Sequence, residues 1–480
     1  MSVEMKAAKG ATWLAIFQFT GQVVSWVATV IVARILFPAD YGLMEMATLI
    51  TGYAFIFNEL GLGQAIIQSP TASEGQLSSV FWFSMLLSLF FALFAVVIAY
   101  PTALIFNEPR VIPLTQTTSI LFILSGLQIV PQSLLNKEMK FRSSGYIYMM
   151  GVLVSCICMV IIATLGGGVW TLIWGHIIRS FTQMVLVYYT TGWRPKFSFH
   201  FQEARQFIHF GVLVAIGRSL FYVYQKSDKF FAGRAWPAQS LGLYTLALQL
   251  AMIPTDKIVT IINQVSYSAF AALQYEKERF NALYLNISKI TATLVFPIFC
   301  GGFLVGDDLI RVLLTKQWYP MIPLFRYLCL VQIFVAMSAV NGFVHSAMGR
   351  PGRNLILNAT LVAFMPISFY FAVQYGLNAI LVPWFTIYLI INCAWLLYSL
   401  QKTEIPVVSY LNSIKIPFMA TAIMLFAIIL VEHGLGILYP YLPIYGSFAI
   451  DVLVGTAVYV FFLWKIDGDL VRMLRMLVKR

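Results

Sequence analysis

Basic residues lie inside stretches of the chain that are otherwise apolar enough to span a membrane. They are Arg179, Arg218, Lys226, Lys229, Lys257, Lys289 and Arg326. A cation at the centre of a bilayer helix costs about 2.5–3.5 kcal/mol on insertion scales, so these side chains must face counter-charges or a water-filled cavity. Because basic residues outnumber acidic residues in these stretches, we predict a cavity that binds an anion.

One of these stretches carries a stripe of polar side chains on a single helix face. Residues at steps of four, three and four form it, namely Arg218, Tyr222, Gln225 and Lys229. Lys226 and Asp228 flank the stripe on opposite sides. At about 1.5 Å per residue the stripe covers about 16 Å, which is half of the bilayer. A polar ladder of this length is typical of a pathway rather than of a single structural ion pair.

Some of these cations also admit a structural explanation. Lys229 is close enough to a helix end to extend to the outer interface, and Lys289 and Arg326 could be interfacial in the same way. Arg218 could instead form an ion pair inside the membrane. The sequence leaves both interpretations open.

Four acidic residues of the apolar stretches are candidates for ion pairing or for coupling transport to an ion gradient. They are Glu45, Glu59, Asp228 and Asp256. Glu45, Glu59 and Asp256 are each suitable partners for Arg218. No cluster of the metal-ligand type surrounds these residues, so we expect neither a metal nor a cofactor.

The composition indicates the class of protein that holds these residues. Apolar residues make up 60% of the 480 residues and charged residues 10%, as in a helical integral membrane protein. A transmembrane β-barrel would show short segments of alternating hydrophobicity, which this sequence lacks. About fourteen apolar segments reach the length of a membrane span. They lie at 11–36, 41–67, 77–100, 113–134, 144–165, 168–190, 207–233, 240–270, 282–304, 320–345, 353–375, 377–400, 413–433 and 443–464.

The loops between these segments differ in charge between the two sides of the membrane. When they are assigned alternately from Met1, most loop lysines and arginines fall on the side of Met1. Cytoplasmic loops carry such an excess of basic residues. We therefore predict that both termini are cytoplasmic.

A short pattern occurs twice, at turns that are 200 positions apart. The matching pairs are Arg34 and Arg234, Gly42 and Gly242, Leu43 and Leu243, and Ala47 and Ala247. Six predicted helices separate the copies, so both run in the same direction, as in a parallel repeat. We expect two parallel six-helix bundles plus a terminal helix pair, with the matching turns forming an outer gate.

This arrangement predicts five regions of the chain. They are an N-terminal six-helix lobe, an amphipathic cytoplasmic linker, a C-terminal six-helix lobe, two additional transmembrane helices and an amphipathic cytoplasmic tail. In the same order their bounds are 1–190, 191–206, 207–400, 401–464 and 465–480. The linker and the tail are expected to lie on anionic lipid.

Two segments near the start of the chain resemble a known family. They are Arg34-Ile-Leu-Phe-Pro-Ala-Asp-Tyr-Gly-Leu43 and Glu59-Leu-Gly-Leu-Gly-Gln-Ala-Ile-Ile-Gln68. These segments are similar to the opening of polysaccharide flippases in the multidrug/oligosaccharidyl-lipid/polysaccharide (MOP) exporter superfamily. Further segments resemble the branch that contains the colanic-acid exporter and related lipopolysaccharide biosynthesis transporters. They are Leu135–Arg142, Asp228–Arg234, Leu241–Ala247 and Lys316–Pro323.

The resemblance implies a fold and a function. The fold is a two-lobed, MATE-like transporter whose lobes alternate about a central cavity. The function is transport rather than catalysis: oligosaccharide units linked to undecaprenyl pyrophosphate are flipped across the bacterial inner membrane. Such units are precursors of O-antigen, capsule or exopolysaccharide, and Arg218 with Lys226 or Lys229 would contact the pyrophosphate. The implied partners are this lipid-linked oligosaccharide, anionic membrane lipids and a polysaccharide polymerase or other export machinery, without a nucleic acid.

Other functions remain open at this point. A lipid-II-type flippase is the nearest rival. A cation-coupled drug exporter of the same superfamily should have a net negative cavity, in contrast to the basic excess seen here. A membrane-embedded polysaccharide polymerase or ligase should carry a long outside loop with its reactive residues, and the predicted outside loops are short.

Overall fold

The chain folds into helices connected by short turns. The computed structural model describes residues 3–69, 73–350, 352–434 and 443–466, and within these ranges it contains no strand. The chain forms two compact units, Met1–Gly242 and Leu243–Arg480. The all-helical class predicted from the composition is confirmed for the described residues.

The described residues of the first unit form eight helices and the start of a ninth. They are α1 (Val3–Ile35), α2 (Pro38–Glu59), α3 (Leu62–Gln68), α4 (Glu74–Phe106), α5 (Val111–Lys137), α6 (Phe141–Thr164), α7 (Trp170–Thr191), α8 (Phe201–Ala235) and α9 (Ala238–Ala272). Two of them, α2 and α3, occupy the single predicted span 41–67. Leu60 and Gly61 separate them with φ angles of 41° and 58°. This left-handed backbone ends a helix, so the predicted span is broken in two.

The helices α1 and α6 show how the first unit packs. A Cβ atom on Gly21 would contact the Tyr148 ring, and one on Gly145 would contact Phe17 and the backbone of Leu14. Small residues at these positions let the two helices approach closely. Positions increase together along both helices, so α1 and α6 run in the same direction. This direction fits the alternating crossings expected of the predicted spans.

The second unit contains the rest of α9 and the helices that follow it. They are α10 (Lys277–Leu304), α11 (Gly306–Leu313), a 3-10 helix (Lys316–Met321), α12 (Ile322–Ala347), α13 (Gly352–Ala372), α14 (Leu381–Pro383), α15 (Leu389–Thr403), α16 (Val407–Gly434) and α17 (Ile444–Ile466). Between α13 and α15 lie 3-10 turns at Val373–Tyr375 and Leu377–Ile380 and a π-helical turn at Trp384–Tyr388.

Two hydrogen bonds fix the direction of α12 relative to α15. Ser338 Oγ donates to Asn392 Oδ1 at 2.5 Å, and His345 Nε2 lies 2.9 Å from Ser399 Oγ. Both partners advance by seven residues from one pair to the next, so the helices are parallel. The intervening α13 must therefore lead the chain back across the unit.

The number of membrane spans differs from the prediction. Every predicted span lies in helical segments, but two are divided: 41–67 into α2 and α3, and 377–400 into α14, α15 and the short 3-10 and π-helical turns beside them. Ten helices of the described residues are long and apolar enough to cross a membrane. The long helices outside this set are α2, α7, α8 and α9. Charge lowers the hydropathy of α8, which carries Arg218, Lys226, Asp228, Lys229 and Arg234. The count of fourteen spans is thus not confirmed.

The linker before α8 is bound to the start of α4. Lys196 N donates to Ser78 Oγ at 3.0 Å, and His200 N donates to Ser79 Oγ at 3.1 Å. The indole N–H of Trp82 donates to the Lys196 carbonyl at 2.8 Å. Residues 192–200 of the predicted amphipathic linker therefore do not form a helix, and α8 begins at Phe201.

The predicted lobe boundaries at 190 and 207 stay a prediction. In this structure α8 packs against α2, α3 and α4 within the first unit. The predicted tail lies outside the described residues beyond position 466.

Candidate functional site

The helices α2 and α8 pack together along a row of polar side chains in the first unit. We call this row the charged seam. It consists of Glu45, Gly52, Tyr53 and Glu59 on α2 and Arg218, Tyr222, Lys226 and Lys229 on α8. The seam joins most of the acidic and basic candidates that the sequence placed on these two helices.

A carboxylate with two lysines forms one end of the charged seam. Lys226 Nζ lies 2.7 Å from Glu45 Oε1, and Lys229 Nζ lies 3.2 Å from Glu45 Oε2. The Lys226, Lys229 and Glu45 side chains are 27%, 12% and 11% exposed. We call this group the Glu45 triad. Removing one member of a buried ion pair leaves an uncompensated charge and costs about 3–5 kcal/mol, so these three residues depend on one another.

A single ion pair forms the other end of the charged seam. Arg218 Nη1 lies 3.2 Å from Glu59 Oε2, and the two side chains are 44% and 45% exposed. Where water reaches a pair with this exposure, it screens the charges, and the pair contributes about 0–1 kcal/mol to stability. The Arg218 guanidinium can therefore leave Glu59 for a ligand at little cost.

Tyr222 connects the two ends of the charged seam. Its hydroxyl donates a 2.7 Å hydrogen bond to the carbonyl of Leu49, and its ring lies 5.8 Å from the ring of Tyr53. A Cβ atom on Gly52 would overlap the Tyr222 hydroxyl. Gly52 thus provides the gap through which Tyr222 reaches the backbone of α2.

The polar stripe of α8 is shifted from the predicted one. The residues that face α2 are Arg218, Tyr222, Lys226 and Lys229, at steps of four, four and three. Lys226 belongs to the stripe rather than flanking it. The sequence left a structural explanation open for Lys229 and for Arg218. In this conformation Lys229 pairs with Glu45 instead of extending to an interface, and Arg218 pairs with Glu59.

Asp228 adds a second carboxylate beside the lysines. It is buried, and its Oδ1 accepts a 2.7 Å hydrogen bond from the backbone N–H of Lys229. Its charge acts on both Lys226 and Lys229. With Glu45 and Asp228 opposing two lysines, the local charges are balanced.

The two repeated turns meet next to the Glu45 triad. A Cβ atom on Gly42 would lie 2.6 Å from the carbonyl carbon of Ala238, and one on Gly242 would lie 2.6 Å from the carbonyl carbon of Pro38. No side chain larger than hydrogen fits at either position. We call this reciprocal approach the glycine contact. All four residues belong to the first unit.

The repeat extends to the ends of the helices around the glycine contact. The first copy has α1 ending at Ile35 and α2 beginning at Pro38, and the second has α8 ending at Ala235 and α9 beginning at Ala238. Each helix end recurs after 200 positions, as the sequence pairs do. In the first copy Pro38 occupies the first turn of α2, where a missing N–H is tolerated. Asp40 Oδ2 accepts a 2.8 Å hydrogen bond from Phe37 N there.

The remaining gate and cavity candidates of the first unit lie apart from the charged seam. Arg34 and Arg234 are exposed at the ends of α1 and α8. The Arg179 guanidinium lies over the Tyr148 ring of α6 at 5.0 Å. A cation over an aromatic face is a stable structural arrangement, so Arg179 has a local partner on the neighbouring helix.

The other candidates belong to the second unit. Lys257 and Asp256 are adjacent on α9, and Lys289 lies on α10. Arg326 Nε donates a 2.7 Å hydrogen bond to the Phe303 carbonyl, and its guanidinium covers the Phe303 ring at 4.9 Å. A single cavity that holds all of the predicted cations stays a prediction.

Sequence reasoning missed two features of the site. It did not identify Gly52 as the gap for Tyr222, nor Pro38 and Ala238 as the surfaces that meet the repeated glycines. The close approach at Gly42 and Gly242 could have been predicted from the sequence. Both copies of the repeat have glycine within a helix, although glycine there lowers stability by about 1 kcal/mol relative to alanine. Among the described residues no group of three or more His, Cys, Asp or Glu side chains could hold a metal ion.

Comparison with known families supports the resemblance read from the sequence. The family model described as "Polysaccharide biosynthesis protein" matches residues 31–323, which is more than half of the chain. The chain belongs to this family. The match includes the charged seam and both glycines of the glycine contact.

Curated relatives extend the similarity beyond the family match. The chain is 25% identical over 474 residues to the teichuronic acid biosynthesis protein TuaB of Bacillus subtilis (strain 168), covering 97% of this chain and 96% of that protein. It is 24% identical over 354 residues to the lipopolysaccharide biosynthesis protein WzxC of Escherichia coli (strain K12), covering 73% and 72%. One relative is thus named for the biosynthesis of teichuronic acid and the other for that of lipopolysaccharide.

Solved structures show the fold. The lipid II flippase MurJ in an inward closed conformation superposes with a TM-score of 0.77 at 16% identity, covering 95% of this chain and 99% of that one. An inward-facing MATE family transporter of the MOP superfamily gives a TM-score of 0.65 at 15% identity, covering 80% and 94%. These likenesses show that the chain has the fold of such transporters, and the ten apolar helices of the described residues indicate a multi-pass membrane protein.

Proposed function

We propose that this protein flips oligosaccharide units linked to undecaprenyl pyrophosphate across the bacterial inner membrane by alternating access. The units would serve as precursors of a surface polysaccharide such as O-antigen, capsule or exopolysaccharide. The names of the curated relatives support this substrate class. The charged seam supplies the candidate contacts to the carrier.

The single observation that carries the proposal is the gradient of exposure along the charged seam. The Arg218–Glu59 pair is nearly half exposed, whereas the Glu45 triad is mostly buried beside the glycine contact. A seam that is open at one end and closed at the other is the form that alternating access requires. Its open end presents arginine to an arriving ligand.

The chemistry of the seam suits a diphosphate. Charge-assisted hydrogen bonds to phosphate oxygens are about twice as strong as neutral ones. Arginine makes them in pairs, and lysine supplies a compact charge that follows a moving ligand. In the proposed cycle Arg218 binds the diphosphate first, and Lys226 and Lys229 bind it deeper in the seam.

The proposed orientation follows from the loop charges. Both termini lie in the cytoplasm, the Arg218 end of the seam faces the cytoplasm, and the glycine contact faces the periplasm. Arg34 and Arg234 then stand at the periplasmic ends of α1 and α8. The glycine contact is accordingly the closed outer gate.

Arg218 provides the test of this proposal. In a strain that lacks its own polysaccharide flippase, Arg218→Ala should abolish glycan export, while the amount of folded protein in the membrane stays unchanged. Arg218→Lys should give intermediate export, since the charge remains but the paired hydrogen bonds do not.

A matched control is Arg279→Ala. Arg279 also forms an exposed ion pair, with Glu276 at 2.9 Å, but it belongs to the second unit. Normal export by Arg218→Ala would remove this residue from the substrate path. Rescue of a strain that lacks its lipid II flippase, without glycan export, would instead favour the lipid-II-type function.

A further inference from the structure

We propose that Glu45 determines specificity by acting as a built-in counter-ion that yields its lysines to a diphosphate but not to a single-phosphate lipid. This inference rests on the proposed function, because it concerns which anion the same seam accepts. It assigns Glu45 a role in selecting the substrate in addition to its role in holding α2 against α8.

The geometry of the Glu45 triad satisfies both lysines before any ligand arrives. Each carboxylate oxygen of Glu45 has its own ammonium partner, at 2.7 Å for Lys226 and 3.2 Å for Lys229. Asp228 balances the remaining charge. An incoming anion therefore meets a neutral group and must displace Glu45 to reach the ammonium groups.

Lys226 is the point of entry into the triad. It is 27% exposed, whereas Lys229 is 12% exposed. Tyr222, one turn away, is tied to the backbone of α2 and limits the approach from its side. A ligand must thus bind Lys226 first and Lys229 second.

The membrane itself presents the competing anions. Its common anionic lipids carry a phosphodiester headgroup with one negative charge, and they collect near basic residues. Such a headgroup would replace the single negative charge of the Glu45 carboxylate with another single charge, so it would gain little binding free energy. A lipid diphosphate brings two adjacent charged phosphates, so each lysine receives a phosphate of its own. The carboxylate thereby excludes the abundant lipids and admits the scarce diphosphate.

The charge exchange has a structural consequence. Glu45 lies three residues after Gly42, on the same side of α2. Displacing its carboxylate removes the ion pairs that hold α2 to α8 beside the glycine contact. The same event that recognises the diphosphate therefore loosens the closed end of the seam.

The test compares two lipids on the purified full-length protein. Native mass spectrometry gives apparent Kd values for undecaprenyl pyrophosphate and for dioleoylphosphatidylglycerol. The wild-type protein should prefer the diphosphate by at least about tenfold, the scale of one additional charged hydrogen bond. Glu45→Gln keeps the shape but removes the charge, so it should bind phosphatidylglycerol about tenfold more tightly and lose most of the preference.

Two further variants separate displacement from net charge and from folding. Glu45→Gln combined with Lys226→Gln leaves the local charges balanced, as in the wild type, but leaves no carboxylate to displace. Because Lys226→Gln by itself removes one of the two lysines, the double variant is compared with Lys226→Gln alone. It should bind phosphatidylglycerol more tightly than that variant, and this comparison carries the test if Glu45→Gln does not fold. Glu45→Asp keeps a carboxylate and should keep the preference. The matched control Glu404→Gln removes an exposed glutamate that pairs with Lys277 in the second unit.

The outcomes distinguish this inference from the proposed function. If the wild-type protein binds neither lipid above the level of Arg218→Ala, the proposed function fails. If the wild-type protein prefers the diphosphate and the Glu45 variants keep that preference, the specificity role of Glu45 is wrong and the proposed function stands. If the double variant alone keeps the preference, net charge rather than displacement sets the selectivity, which also overturns the inference.

Discussion

Glu45 and Glu59 show how the surroundings of one residue type decide what it does. Both are glutamates on α2 that pair with basic residues of α8. Glu45 is 11% exposed and has two partners, whereas Glu59 is 45% exposed and has one. Glu45 and its two lysines depend strongly on one another, whereas the exposed Glu59–Arg218 pair separates at little cost in free energy. The charged seam thus has one end that a ligand can reach and one end that buried ion pairs keep closed.

At the residue scale, Gly52 gives a sharp prediction. Gly52→Ala should push the Tyr222 hydroxyl off the Leu49 carbonyl, because the new methyl group would overlap it. Overpacking of this kind costs about 1–3 kcal/mol. We expect a lower Tm of the purified protein and reduced glycan export.

Gly352→Ala is the control for this substitution. Gly352 lies at the start of α13, and a Cβ atom there would meet no atom within 4 Å. Its Tm and export should match the wild type. Equal behaviour of the two alanine variants would show that Tyr222 does not need the gap.

The sequence predicted the residues of the seam better than their pairing. Helical periodicity placed Arg218, Tyr222 and Lys229 on one face, because this face depends only on local geometry. It could not place Lys226 on the same face as Glu45, since that depends on how α2 and α8 are rotated against each other. Gly52 was missed for the same reason: its role exists only through Tyr222 of another helix.

At the element scale, the helix ends of the repeat carry the proposed gate. The sequence predicted the matching turns correctly, because a turn with fixed glycine spacing is local. Their direct approach is a tertiary property that follows from the packing of α2 and α9 in the first unit. The break between α2 and α3 was not predicted, although Gly61 marks it.

Cysteines in the two turns test whether the gate moves. Ala39→Cys and Ala238→Cys, in a background with the five native cysteines replaced, should cross-link readily under oxidation in the resting membrane. The cross-link should block export, and reduction should restore it, because the turns must separate for the seam to open outward. Each single-cysteine variant under the same oxidant is the control. Full export by the cross-linked protein would show that these turns do not part during transport.

At the scale of the whole molecule, the number of crossings is the main open prediction. Every predicted span is helical, but α2, α7, α8 and α9 are not among the ten described helices that are long and apolar enough to cross a membrane. Hydropathy underestimates helices that carry a polar seam, because their charged faces contact protein instead of lipid. The charged side chains that lower the hydropathy of α8 are also the ones that place this helix at the centre of the candidate site.

Reporter fusions test the number of crossings. Fusions after Lys415 and at the C-terminus should both report the cytoplasm if fourteen helices cross and the loop charges set the orientation. A fusion within the turn that contains Arg110, between α4 and α5, should report the periplasm. A periplasmic signal at either of the first two positions would overturn this topology.

The glycine contact has a consequence for how such a chain can be assembled. Gly42 contacts Ala238, and Gly242 contacts Pro38. Ala238 lies four residues before Gly242, and Pro38 lies four residues before Gly42, so the two contacts are equivalent. The interface is therefore isologous: the same patch is used on both sides, as at the two-fold axis of a homodimer. One repeat alone has every group needed to make this contact with a second copy of itself. Joining the two repeats in one chain then adds no new surface to the glycine contact. It only raises the effective concentration of one repeat near the other.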